Sequence, residues 1–492
     1  MRRGRAAERW TPRVRPAAVA RLAERAPGAS LGAFAVWALL CAAALGGCTP
    51  LGVAGEARRE PVAGGERAEG APERRTADAV ERGGEAPAAP EAAEWGSLRD
   101  EPIRVGLVQR GRAAVVSSRG GACTLKVYSG AAQSFSAVAG EAWSFDASAG
   151  GVSARSSGGA SFELEEGTVR VRPGASTLLL VDGVAYRGEI EVYPAGAGSL
   201  SVVNVIGMES YLRGVLPGEI GRRPESDIEA VKAQAVAART YAAASSGSRA
   251  GGDFDVLPTT ADQLYEGADA EDAVCDRAIL ETAGLVLAYQ GAPAVTYFHS
   301  TCGGRTEARH EAWELPELPY LGPVWDTEGG GDRLDGSWCR GAPSFEWTES
   351  WTGEEIDRLA SEVLPDVAST PVEGPVGRVR GLEVASRTGS GRVRWLEVRT
   401  EGGVYRVLAD RVRRFLLRPD TGGILRSSWF DLDVETTGDG IARVAARGRG
   451  NGHGVGMCQH GAIAMARAGR SYDEILAHYY PGTEFARLSD VW

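Results

Sequence analysis

The stretch Val203–Tyr241, VNVIGMESYLRGVLPGEIGRRPESDIEAVKAQAVAARTY, constrains the fold more than any other. Its second half is rich in alanine, which is the best helix former and lets other elements pack close. Ser226 and Glu229 have capping-box spacing, which predicts a helix over 226–245 starting near Asp227. Upstream, Met208, Leu212 and Val215 follow an i, i+4, i+7 pattern and predict a short helix over 208–216. Pro217-Gly218 predicts a turn between them, and Glu219 lies in that turn. A carboxylate steadied by two rigid helices suits a general acid, which must sit within hydrogen-bond reach of a leaving oxygen. Glu209 reads as a polar face position, and Glu229 as the cap partner.

Composition sharpens the reading. Lysine occurs only at Lys126 and Lys232, and asparagine only at Asn204 and Asn451. Arginine, alanine and glycine dominate instead, the mark of a strongly G+C-rich genome. Lys232 and Asn204 survive in the stretch above, and Asn451 survives in the glycine-rich loop Gly450–Gly456. Their side chains are expected to have chemistry that Arg, Ser or Asp cannot replace. Lys232, Gln234, Arg239 and Thr240 are candidates to bind a polar substrate or brace the Glu219 loop. A helix points them to different faces, so not all can do both; Gln234 and Arg239 are the better braces. The formal charge of −11 argues against nucleic acid as a partner.

The N-terminus reads as a targeting segment: an Arg-rich start, an apolar run from about Leu31 to Leu45, then Leu45-Gly-Gly-Cys48. That ending looks like a bacterial lipobox, with residues 1–48 a lipoprotein signal peptide and Cys48 lipidated. The run is short for a membrane span. The expected location is an exported lipoprotein on the periplasmic face, at the outer membrane where there are two membranes. Residues 49–97 are Ala, Glu, Gly, Arg and Pro with almost no aromatics and cannot bury enough apolar surface to fold. They read as a tether with ends about 40 Å apart.

Residues 98–200 read as an antiparallel β module, from the alternation of Ile103, Val105 and Leu107, of Leu125 and Val127, and of segments 168–172 and 189–193. From 201 to 492 the pattern becomes a mixed α+β core. Helices are expected at 208–216, 226–245, 271–283, 353–363, 458–468 and 472–480. Strands are expected at 284–289, 293–300, 378–385, 391–399 and 403–408. Ser471 and Glu474 form a second capping-box spacing, and Gly469 sits where a helix C-cap belongs.

A series of segments in order then resembles the SpoIID/LytB family, named for sporulation stage II protein D and the amidase enhancer LytB. They are Tyr186-Arg-Gly188, the Val203–Tyr241 stretch, Gln263-Leu-Tyr265 with Gly267, Tyr297-Phe-His-Ser-Thr-Cys-Gly-Gly-Arg-Thr-Glu307, Gly452-His-Gly-Val-Gly-Met-Cys-Gln-His-Gly-Ala462 and His478-Tyr-Tyr-Pro-Gly-Thr483. The resemblance implies a SpoIID-like catalytic core and a lytic transglycosylase. Such an enzyme cleaves peptidoglycan glycan strands, with strands denuded of stem peptides preferred, to 1,6-anhydro-muramic ends. Its single acid/base maps onto Glu219. It implies no cofactor, and a cell-wall amidase as a further partner. The alternative is a non-catalytic glycan-binding or amidase-modulating lipoprotein on the same scaffold.

Gln263 and Tyr265 are carried into the candidate site by the resemblance. In Gly450–Gly456 the glycines Gly452 and Gly454 would let backbone approach a sugar ring, with His453 and Gln459 supplying hydrogen bonds. Ser300, Gly303 and Gly304 suggest a sugar-facing rim. No metal site is expected. Some family members use a Cys/His pair in the segment equivalent to 255–263, but here Leu257, Ala261 and Asp262 stand in those places. His453, Cys458, His460 and His478 match no compact zinc spacing. Cys302 and Cys339 flank a long loop and are the disulfide candidate in an oxidising compartment; Cys123, Cys275 and Cys458 are left over. Trp313, Trp338, Trp347 and Trp351 crowd one region, for sugar stacking or for core packing.

Overall fold

The computed structural model describes Trp95 and residues 100–129, 133–247, 253–331, 334–438 and 440–492. The leader, the lipobox with Cys48 and all of the tether but Trp95 lie outside the described residues.

Period-two alternation builds two six-stranded antiparallel sheets. One has the order β1 (Pro102–Gly111), β12 (Leu200–Gly207), β11 (Glu189–Pro194), β8 (Thr168–Pro173), β3 (Cys123–Tyr128), β4 (Gln133–Ala137). The other has the order β10 (Val184–Tyr186), β9 (Leu178–Val181), β2 (Ala113–Arg119), β5 (Trp143–Ser148), β6 (Gly151–Ser156), β7 (Ser161–Leu164). Their inward residues, among them Val105, Leu125, Trp143, Phe145 and Val171, share one apolar core. Phe135 of one sheet stacks on Phe162 of the other, with ring centroids 5.2 Å apart.

Strand β12 runs straight into helix α1 (Met208–Glu219), which is followed by α2 (Ile228–Ser245) and α3 (Ala273–Glu281). Asp100 caps α1 from outside, accepting the Glu209 N–H at 2.7 Å. Helix α2 is buried along most of its length, with Ala230, Ala233, Ala235, Ala237 and Ala238 fully buried. Small side chains let α1, α3 and the last helices, α5 (Gln459–Arg467) and α6 (Tyr472–Tyr479), pack onto it. The expected Ser226/Glu229 capping box does not form. Residues Glu225–Asp227 make a 3₁₀ turn, and Asp227 pairs with Arg467 at 2.7 and 2.8 Å. Glu229 caps a different helix, accepting the Tyr472 N–H at 2.9 Å. The Ser471/Glu474 pair behaves as expected, with the Ser471 N–H donating to Glu474 at 3.0 Å.

Residues 346–449 enclose a second apolar cluster that includes Trp351, Ile356, Leu396, Phe415 and Phe430. Helix α4 (Gly353–Glu362) packs there with two three-stranded sheets, 379–387/393–400/403–408 and 346–352/440–449/430–437. The sequence pattern foretold the first sheet and missed the second. The expected strand at 293–300 is two short pieces, Ala292–Pro293 and Phe298–His299. The latter pairs in parallel with Met457–Cys458, which brings together the chain on either side of the region inserted between them, a region that includes residues 346–449.

Candidate active-site cleft

Glu219 is not in a turn. Helix α1 continues through Pro217, and Glu219 is its last residue. Two glycines on α1 explain how the neighbouring loop reaches it. A Cβ at Gly214 would lie 2.6 Å from the Tyr265 ring, and one at Gly218 would lie 3.2 Å from Leu264. Without them the loop packs flush on the helix, and the Leu264 N–H donates to Glu219 Oε1 at 2.6 Å. No protein group among the described residues bonds Oε2. Burial pushes the Glu219 carboxyl above the ordinary carboxylate range. The Leu264 N–H opposes that, and the charge of Glu266 adds to it. The negative end of the α1 dipole works in the same direction as burial.

The backbone of this residue is held from the other side. Gln459 Nε2 donates to the Glu219 carbonyl at 3.0 Å and lies 3.4 Å from Gln234 Oε1. Gln234 and Gln459 are thus brought to Glu219, as braces. Arg239 and Lys232 are not. Arg239 is fully buried and forks onto Glu209 at 2.8 and 2.5 Å. Glu209, expected on a polar face, is 2% exposed and also accepts the Gly284 N–H. Lys232 is taken up by Glu229 and Glu281 at 2.8 and 2.6 Å. Gln263 and Tyr265 are buried scaffolding. Gln263 bridges Tyr211 Oη and the Ala238 carbonyl, and Tyr265 Oη donates to Asn204 Oδ1 at 2.9 Å. The Asn204 amide nitrogen donates to the Arg187 and Glu189 carbonyls. Such use of both ends of an amide is closed to Asp or Ser.

Glu219 opens onto a cleft of about 460 Å³. Ser300, Gly452, His453 and Gln459 line it as well; Gly303, Gly304 and Gly454 do not. Gly452 has φ +110°, and a Cβ there would meet His299 at 2.7 Å. Gly303 instead packs against Arg449 and Gly450, and the Gly304 N–H donates to the buried sulfur of Cys302. One wall is aromatic. Tyr241, Tyr297, Trp313 and His453 form a run of rings with centroid spacings of 5.8, 4.7 and 5.0 Å. Of the four tryptophans, Trp313 lines the cleft, while Trp347 and Trp351 are core. Trp338 packs on another apolar cluster. His299 is buried with Nδ1 3.2 Å from the Val455 carbonyl. Burial, then the charge of Arg392, pushes its imidazole down to about 3, so it is neutral with Nε2 an acceptor. Asp262 is the other cleft carboxylate, and both its oxygens are engaged, by Tyr241 Oη at 3.0 Å and by the Leu257 N–H at 2.7 Å.

Arg413 and Ile424, contributed by the inserted region, line the cleft too. The sequence reading assigned no role to these residues or to Tyr241, and no local pattern marks them, because the fold alone brings them near Glu219. The motif around Tyr297-Phe-His299 was a usable signal for Tyr297 and His299. Cys302 and Cys339 are not disulfide-bonded; both are free thiols, with sulfurs 3.5 Å apart.

A buried carboxyl with a raised pKa and one oxygen unclaimed by the described residues lies at the wall of an aromatic-lined cleft. Comparison with known proteins agrees with the architecture. Residues 196–289 match the family model SpoIID, Stage II sporulation protein, and residues 331–456 match a domain of unknown function, DUF8618. An uncharacterized protein of Brachyspira hyodysenteriae is 30% identical over 312 residues, 63% of this chain and 75% of that one. Stage II sporulation protein D of Bacillus subtilis is 28% identical, covering 67% of this chain and 87% of its own. The amidase enhancer of the same organism is 28% identical, and the match spans 40% of its length. The chain belongs to the SpoIID/LytB family.

Proposed function

We propose that this chain is a cell-wall lytic transglycosylase that cleaves peptidoglycan glycan strands with Glu219 as its single acid/base. Family membership supports the cell-wall role. The observation that carries the reaction is the state of Glu219: one oxygen fixed by the Leu264 N–H, the other unclaimed, and the carboxyl raised toward its protonated form. Protonated Glu219 donates to the glycosidic oxygen as the bond to the anomeric carbon breaks. The resulting carboxylate then takes the proton of the same sugar's C6 hydroxyl, whose oxygen attacks the anomeric carbon and closes a 1,6-anhydro ring. The nucleophile is already part of the substrate, so its effective concentration is very high. Hydrolysis by two carboxylates would need a second one free to act, and the oxygens of Asp262 are engaged. Tyr297 and Trp313 offer faces for sugar rings.

Strands stripped of stem peptides are the preferred substrate in this reading, and the Cys48 lipid with its tether would hold the core at the envelope. Incubation with peptide-bearing and denuded strands, followed by mass spectrometry, tests the reaction; equal rates on both would remove the preference. The mass of the N-terminal peptide from the membrane fraction tests the lipid. Likeness to an amidase enhancer favours a second reading, stimulation of a cell-wall amidase. Amidase turnover unchanged by an excess of this chain would remove it.

A further inference from the structure

Four buried side chains meet next to Gln459, whose chain neighbour Cys458 is one of them: Cys302, Asp326, Cys339 and Cys458. None is more than 1% exposed. Their sulfur and oxygen atoms all lie within 4.8 Å of one another. They come from segments far apart in the chain. Cys302 follows the strand Phe298–His299, Asp326 and Cys339 lie in the loop of 3₁₀ turns, and Cys458 ends the partner strand and caps α5.

We propose that these four residues form a closed structural site for one divalent zinc-class cation, which ties down both roots of the inserted region.

Three observations carry this. First, Asp326 is fully buried with no cationic side chain paired to it among the described residues. Buried Glu209 and Asp227 each have one, Arg239 and Arg467, and buried Glu307 instead accepts from the Thr388 and Ser390 hydroxyls and the Ala308 N–H. An uncompensated buried carboxylate is costly unless a proton or a metal neutralises it. Second, the spacing suits a shared ion. The Cys302 and Cys339 sulfurs are 3.5 Å apart. A tetrahedron with metal–sulfur bonds of about 2.3 Å has edges of about 3.8 Å. Third, the surroundings are arranged for thiolates. The Cys302 N–H donates to Cys458 Sγ at 3.2 Å, the Gly304 N–H to Cys302 Sγ at 3.3 Å, and the Gly461 N–H to Cys458 Sγ at 3.4 Å. Cys339 N–H and Tyr479 Oη hold the two oxygens of Asp326. Such outer donors orient metal ligands and offset their charge. Gly461 is required for the approach, since a Cβ there would lie 2.4 Å from Asp326 Oδ1.

Three cysteines and one carboxylate fill a tetrahedral shell, which marks a structural rather than a catalytic metal. On binding, the thiol protons leave to solvent. Cys302 and Asp326 precede the region matched at 331–456, Cys339 lies just inside it, and Cys458 follows it. The ion would therefore hold the segment whose Gln459 braces Glu219, while taking no part in the chemistry.

The test uses the full chain with Co²⁺ as a spectroscopic probe and Zn²⁺ for stoichiometry. One ion per chain is expected, with a tetrahedral Co²⁺ spectrum carrying sulfur charge-transfer bands. Alkylation mapped by mass spectrometry should label Cys302, Cys339 and Cys458 only after the metal is stripped. Asp326→Asn should weaken binding by at least about tenfold. Cys458→His keeps a ligand and should retain the ion with the charge-transfer share of one sulfur lost. Cys123→Ser should change nothing. A Cys302–Cys339 disulfide peptide with no bound metal would overturn the proposal. So would metal binding that both cluster variants leave unaltered.

Discussion

The two ends of helix α1 carry the same residue type with opposite fates. Glu209, in the first turn, is 2% exposed and is clasped by the buried Arg239 guanidinium, with the Gly284 N–H as a further donor. Glu219, in the last turn, has one backbone N–H, no paired cation among the described residues and a cleft in front of it. A fork of charge-assisted hydrogen bonds fixes a carboxylate as an anion and makes it architecture. Burial with a single backbone donor and no paired cation leaves a carboxyl able to hold and release a proton. Counter-charge and access, rather than the residue type, separate a structural acid from a candidate catalytic one.

The sharpest way to break that contrast is Glu219→Gln. Strand cleavage should fall by about 10²–10⁴-fold, while thermal unfolding shows an intact fold. An inactive variant that also unfolds would mean that Glu219 is architecture too. At the other end, Glu209→Gln or Arg239→Ala strands a buried partner and should cost about 3–5 kcal/mol, read by urea denaturation. A loss under about 1 kcal/mol would put this pair with ordinary surface bridges. Gln459→Leu sharpens the picture: one brace on the Glu219 carbonyl is lost, and turnover should drop by about tenfold with little change in strand affinity. A fall in affinity alone would make Gln459 a substrate contact.

The smallest effect is a pH dependence. The carboxyl of Glu219 is raised in the folded state, so the folded state holds its proton more tightly than the unfolded one. Its contribution is fully present below the unfolded pKa and is lost as pH rises through the folded value. Glu219→Gln should therefore unfold at a higher temperature than the wild type at neutral pH, with the gap closing in acid. A gap that widens in acid would reverse the sign of the shift.

Much of the scaffold was legible because local rules and tertiary packing agree there. Helix α4 was foretold at 353–363 and runs Gly353–Glu362, and the strands near 378–408 fall where alternation put them. The departures share a cause. Pro217-Gly218 spells a turn locally, yet α1 runs through it because the 263–267 loop packs against Gly214 and Gly218. Ser226 and Glu229 spell a capping box, yet Arg467 and Tyr472, far along the chain, claim Asp227 and Glu229. Glu219 could be singled out as the candidate acid from its motif; the Leu264 N–H that binds it and the wall supplied by Arg413 and Ile424 could not. Sequence distance likewise hid the fact that Cys302 and Cys339 share their surroundings with Cys458 and Asp326.

The most direct test of the central claim is mass spectrometry of the products formed from purified glycan strands by the wild type and by Glu219→Gln, side by side. The account predicts 1,6-anhydro-muramic ends from the wild type and none from the variant. Equal yields from the two proteins would contradict it, as would strands that the wild type binds and leaves whole.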